Sequence, residues 1–484
     1  MTFNSWEFLL FYPIVAALYF LLPKKMKWPM LLAASYFFYM CYQAELVFLI
    51  LGTTIVSFVA SKIIERTEKR WLKKTALTVT LIVCFGVLFF YKYFNFLSGS
   101  VSGIIEMLGG TPSRLELDLI LPVGISFYTF QTLSYVIDIY RGDVKSERNF
   151  FFYALFVSFF PQLVAGPIER PGNLIPQLKE SHKFTSENFK KGSKHMLVGF
   201  FKKICVADLI SVYVNTVYNS PESATALGVI IATALFAVQI YCDFSGYTDI
   251  AIGCARIMGI RLMKNFDHPY RAESIKEFWS RWHISLSTWF KDYLYIPLGG
   301  NRRGRARHLL NVMIVFLVSG LWHGAAWTFV VWGAIHGVYQ IIGALTIKAR
   351  NRALKKLGLF EKSIGVKITR RILTFILVCF GWLFFRANSM ADAVLLLGTL
   401  FTDWSGSADT LGAMGFTTVS AVTVILSILT LVLLDSLLIY GDEADGSDAL
   451  TKNCGFIYFI WIILFVWGLL LSKDMMSTFI YFQF

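Results

Sequence analysis

The sequence predicts an all-α fold, a polytopic transmembrane helical bundle, on three observations. Of 484 residues 56% are hydrophobic and only 16% charged, too apolar for an ordinary soluble domain. More than ten segments approach the roughly 20 apolar residues that a membrane helix needs. Lys and Arg collect between those segments, so the net charge of +14 sets topology and does not argue for nucleic acid as a partner. About 11–13 spans and re-entrant segments are expected, with amphipathic helices at the interface, in one domain over residues 1–484 of a multi-pass cell-membrane protein. No Gly/Ser linker or low-complexity run divides the chain. Seven cysteines lie mostly in or beside apolar runs without C-x-x-C spacing, which predicts packing and neither a disulfide framework nor a metal site.

Residues 8–22 form the first expected span, followed by Lys24, Lys25 and Lys27, which reads as a retained helix with its N-terminus outside. Apolar runs 28–41 and 46–61 flank the polar turn 42–45, and Lys62 to Lys74 mark a cytoplasmic loop. Spans over about 76–97 and 119–139 follow. Residues 150–167 are short and broken by Pro161 and Pro167, so they predict either a re-entrant segment beside a cavity or a packed, kinked helix. Spans over about 195–218 and 226–257 form the next hairpin, and the second carries Asp243 and Asp249 in an apolar run. Carboxylates there either line a polar tunnel or are buried partners of structural hydrogen bonds or ion pairs.

Between 256 and 307 lie eleven Lys/Arg and four Asp/Glu, a net of +7, half of the chain's excess in one segment. Within it Ile275, Phe278, Trp279, Trp282, Leu286, Trp289, Phe290 and Tyr293 recur at steps of three and four. That spacing predicts one amphipathic helix in the cytoplasmic boundary layer, with His283 at the edge of its apolar face. Residues 308–346 exceed one span and predict two, turning near 328–331. His323 then lies about 22 Å from the cytoplasmic edge, and His336 returns to a similar depth. Trp322 and Trp327 are expected to exclude water from His323, and Gly324, Ala325 and Ala326 to leave room for a substrate chain. Later spans fall at about 368–385, 393–401, 417–440 and 455–471.

No Walker loop, dinucleotide fingerprint, H-E-x-x-H or nucleophile elbow is present. What remains is histidine within a membrane segment, which marks a functional site by default. A neutral imidazole can take a proton from a hydroxyl as it attacks a carbonyl, which is what acyl transfer requires. The other reading of His323 is a histidine hydrogen-bonded between helices.

The run Phe278-Trp279-Ser280-Arg281-Trp282-His283-Ile284-Ser285-Leu286-Ser287, continuing to Tyr295-Ile296-Pro297-Leu298-Gly299-Gly300-Asn301-Arg302, resembles the signature of the membrane-bound O-acyltransferase family. Pro122 to Gln131, Phe160 to Ile168, Asp243 to Asp249 and Ser319 to Gly324 agree with it, and the resemblance is centred on about 119–386. Lys291 stands where arginine is expected, which keeps the charge and loses bidentate geometry. The resemblance implies a central tunnel and catalytic roles for His323 and His283; Asp243, Ser245, Trp282, Trp322 and His336 are the candidate tunnel or supporting residues. It implies no bound cofactor, an acyl thioester donor (acetyl-CoA or an acyl carrier protein), and a polysaccharide acceptor reached with an extracytoplasmic partner. D-alanyl transfer to teichoic acid and transport without chemistry are the competing readings.

Overall fold

The computed structural model describes residues 1–111, 115–358, 360, 362–404, 409–437 and 479–480. Every regular element among them is helical. Among the described residues seven helices are long and apolar enough to cross a membrane: Ala44–Arg66, Arg70–Met107, Ala226–Ile257, Arg305–His323, Trp327–Lys356, Ile364–Arg386 and Thr418–Asp435. Trp6–Leu21 and Met390–Thr402 are apolar but shorter. Large apolar side chains such as Ile82, Ile376 and Leu429 stand exposed on these helices, as a lipid-facing surface requires. The expected span 455–471 and the acidic stretch 442–445 lie outside the described residues.

The chain divides into two compact units, each assembled from separate stretches. The first comprises Met1–Met196, Ala251–Lys264 and Ser285–Leu298. In it the expected break at 150–167 takes a definite form: helix Phe150–Ser158 stops, Phe159 leaves the helical conformation with ψ 110°, and Phe160–Leu163 makes one further turn. The interruption leaves backbone groups to be satisfied in the interior, and side chains supply them. Gln131 and Gln162 each donate Nε2–H to the Phe156 carbonyl, at 2.7 and 2.9 Å, and Ser35 Oγ accepts the Phe160 N–H at 3.1 Å. Residues 153–169 are buried throughout, so protein covers the irregular backbone. Helix Ile125–Arg141 begins one residue after Gly124, whose φ of +73° and close approach to the Leu163 carbonyl exclude a side chain.

The second unit comprises Leu197–Ile250, Asn265–Ile284 and Gly299–Phe484. Its centre is the antiparallel hairpin Arg305–His323 and Trp327–Lys356. The turn falls at 324–326, earlier than the sequence predicted, and Gly324 marks it. A Cβ on Gly324 would lie 2.1 Å from the Phe329 ring, so that ring takes the space expected to be open. Lower down, a Cβ on Gly320 would meet the Phe329 carbonyl at 2.3 Å, and one on Gly333 the Phe316 carbonyl at 2.3 Å. The two helices therefore touch backbone to backbone.

The expected single amphipathic helix over 275–293 is broken. Ile275–Arg281, capped by Ser274, ends where Trp282 turns extended, and His283 adopts φ +44° before Ile284–Phe290 begins. An extended stretch satisfies the break: Asp267 donates its N–H to the Arg281 carbonyl, and the Asn265 carbonyl accepts from Ile284, both at 2.9 Å. Helical spacing cannot reveal such a break, because the partner that stabilises it is ten or more residues upstream.

Candidate active site

His323 is the last residue of its helix and 2% exposed. Its imidazole meets three aromatic rings nearly edge to face: Trp322 at 5.0 Å, Trp332 at 5.0 Å and Phe385 at 5.5 Å. Trp327, expected to help exclude water, stands exposed; Trp332 and Phe385 form that wall instead. Trp327 opens the second hairpin helix because the turn comes early, whereas Trp332 follows one turn later on the buried face.

His283 is also fully buried, not at the edge of an apolar face as the spacing suggested. The break at Trp282–His283 turns the side chain inward, onto Phe244 at 4.7 Å and Trp322 at 5.8 Å. Both histidines thus pack on Trp322, and the separation of His283 from His323 that the spacing suggested is replaced by proximity around one indole. Its Nδ1 stands 3.0 Å from Asn265 Oδ1. Burial pushes the His283 imidazole down to about 3, so it is neutral at neutral pH.

His336 joins the same cluster. Its ring is 5.1 Å from Trp332, which in turn packs on His323, so the return of the hairpin brings it beside the site. Trp279 donates its indole N–H to His336 Nδ1 at 3.2 Å, which assigns the imidazole proton to Nε2. That nitrogen has no hydrogen-bond partner among the described residues and faces Gly381, where a Cβ would lie 2.7 Å away.

Trp282 packs in the aromatic shell, 5.1 Å from both Phe266 and Trp382. Ser245 is buried, and its hydroxyl has no partner among the described residues.

Asp243 and Asp249 are ion-paired. Lys203 Nζ contacts Asp243 at 2.6 Å and Asp208 at 2.9 Å, while Lys202 Nζ contacts Asp249 at 2.9 Å and Asp435 at 3.5 Å. The second Asp243 oxygen accepts the Ile480 N–H at 2.7 Å. Both lysines sit on the π-helical turn Phe201–Asp208, a geometry frequent at functional sites. Of the two readings of these carboxylates, ion pairing is the one observed. The signal lay in the sequence: Lys202 and Lys203 are as anomalous in an apolar run as the aspartates they pair with. Asn265 and Trp332 carried no comparable signal, because neither residue type is unusual in such segments.

Fold and site together define a polytopic membrane protein with two neutral-capable histidines enclosed by aromatic rings in its interior. Comparison with known proteins gives the class its chemistry: the profile of the membrane-bound O-acyltransferase family matches residues 144–380. The probable alginate O-acetylase AlgI of Pseudomonas putida is 36% identical over the full length of both chains. That of Pseudomonas aeruginosa is 38% identical over 89% of this chain and 81% of its own. The peptidoglycan O-acetyltransferase of Helicobacter pylori is 34% identical over 82% of this chain and 79% of its own. The teichoic acid D-alanyltransferase of Bacillus subtilis is 28% identical over 56% of this chain and 70% of its own. The chain belongs to the membrane-bound O-acyltransferase family and is an enzyme of that class. Transport without acyl chemistry is thereby set aside.

Proposed function

We propose that this enzyme transfers an acetyl group from a thioester donor at the cytoplasmic face towards an exported cell-surface polysaccharide. The observation that carries the reading is full-length similarity to a probable alginate O-acetylase, joined by similarity to a peptidoglycan O-acetyltransferase. Both relatives are named for O-acetylation of a polysaccharide.

In the proposed step His323 takes the proton of an acceptor hydroxyl as its oxygen attacks the thioester carbonyl. The new C–O bond forms, the C–S bond breaks, and the thiolate leaves with the proton that His323 returns. His283, packed against the same Trp322 indole, assists at the donor side. The aromatic enclosure favours this chemistry, because a site without bulk water protects the thioester from hydrolysis. Completion of transfer falls to an extracytoplasmic partner, and acetyl-CoA or a carrier protein supplies the acyl group through an internal path.

D-alanyl transfer is the second reading, favoured by similarity to the teichoic acid enzyme but over a shorter stretch and at lower identity. Comparing cell-wall and capsule fractions from cells with and without the gene decides between them. Loss of alkali-released acetate from a polysaccharide fraction is the expected result; unchanged acetate with loss of ester-linked D-alanine would overturn it.

A further inference from the structure

We infer that Asn265 is a positioning residue for His283, accepting the Nδ1 proton with its side-chain carbonyl so that Nε2 becomes the basic nitrogen of the ring. The inference rests on the reading of His283 as an assisting residue given above. Asn265 and His283 are both 0% exposed, and Asn265 Oδ1 stands 3.0 Å from His283 Nδ1. An amide presents an acceptor at one end and donors at the other, so its orientation decides the tautomer. Here the amide nitrogen is the end turned to Thr248, whose Oγ1 receives the Asn265 Nδ2–H at 3.4 Å. With the nitrogen turned to Thr248 the oxygen faces the ring, and a carbonyl oxygen can only accept.

The same residue holds the backbone. The Asn265 main-chain carbonyl accepts the Ile284 N–H at 2.9 Å, next to the residue held at φ +44°. A left-handed conformation is uncommon for a residue with a side chain, and it persists here because Asn265 ties down both the ring and the following amide. Uncharged groups pack the ring: Phe244 edge-on, Trp322 and Phe266. The carboxylates flanking Phe244 on its helix, Asp243 and Asp249, are engaged by Lys203 and Lys202. Burial keeps the imidazole neutral, so the tautomer decides what the ring can do. Fixing one ring nitrogen so that the other can act is how histidines are oriented in metal sites and catalytic triads.

The test is ¹⁵N-histidine NMR of the full-length protein in nanodiscs, with His283→Gln used to assign the resonance, alongside labelled-acetyl incorporation into surface polymer by cells carrying Asn265→Leu or Asn265→Asp. The expected wild-type spectrum has a protonated Nδ1 and an unprotonated Nε2 at His283, and Asn265→Leu loses that signature together with about tenfold or more of the acetylation rate. In Asn265→Asp the carboxylate favours the imidazolium, so His283 titrates at higher pH than in wild type. A protonated Nε2 in the wild type, or an Asn265→Leu protein with unaltered tautomer, overturns the inference. Full activity of His283→Gln overturns the assisting role instead and leaves the tautomer assignment to stand or fall on the spectrum.

Discussion

Trp322 is the side chain on which both candidate histidines depend, since each packs against its indole. Trp322→Ala removes a buried ring that nothing nearby can replace, and a loss of about 3 kcal/mol or more is expected, read as a lower detergent-solubilised Tm. Trp322→Phe keeps part of the ring and should retain more of both stability and activity. Behind Trp332, the proton on His336 Nε2 points at Gly381, so Gly381→Ala places a methyl where only 2.7 Å is available and should lower Tm and activity together. Stability also depends on pH through Glu169, fully buried and accepting from Met263 N–H and Asn173. Burial raises its carboxyl to about 7, so the native state holds a proton that the unfolded chain, near 4.5, gives up earlier. Its contribution is therefore fully present below about 4.5 and is lost as pH rises through about 7. Tm measured from pH 5 to 8 should fall in wild type relative to Glu169→Gln, and parallel curves would contradict this. The histidines were legible as candidates because ionisable groups in apolar runs are costly, whereas their neighbours Asn265 and Trp332 were not, since only folding gives them their partners.

The helix hairpin sets where His323 stands, and glycine sets how closely its two arms approach. Gly320→Ala and Gly333→Ala each drive a methyl into a backbone carbonyl at 2.3 Å, which can yield only by separating the helices. Both should lose surface acetylation and thermal stability, while Gly343→Ala on the same hairpin, with nothing within 4 Å, should leave both unchanged. A second tie within this unit is electrostatic. Lys202→Met alone leaves Asp249 buried without its closest cation and should cost about 3–5 kcal/mol, whereas Lys202→Met with Asp249→Leu should recover part of it. Apolar periodicity located both arms of the hairpin but misplaced its turn, since the small residues 324–326 read as continuing apolar sequence. It failed at 275–293 for a related reason. A three-four repeat survives a one-residue break, and the backbone hydrogen bonds from 265–267 that stabilise the break leave no trace in composition.

Arg302, Arg303, Arg305, Lys348, Arg350, Arg352, Lys355 and Lys356 are exposed at one end of the hairpin, and the positive-inside rule predicts this end on the cytoplasmic side. A Gly358→Cys protein that also carries Cys41→Ser, which removes an exposed native thiol, should in intact cells resist a membrane-impermeant thiol reagent beyond the labelling of the Cys41→Ser parent and react once the membrane is opened; added labelling in intact cells would reverse the topology. Membrane class was legible from composition alone, and family from motifs that lie in both units, yet neither the donor nor the acceptor is written in any side chain described here. Acyl transfer at His323 is tested most directly by following labelled acetyl groups into surface polysaccharide in cells expressing His323→Ala at wild-type membrane levels. Incorporation should fall by about 10²-fold or more, the usual worth of a general base. Labelling at the wild-type rate would contradict the assignment.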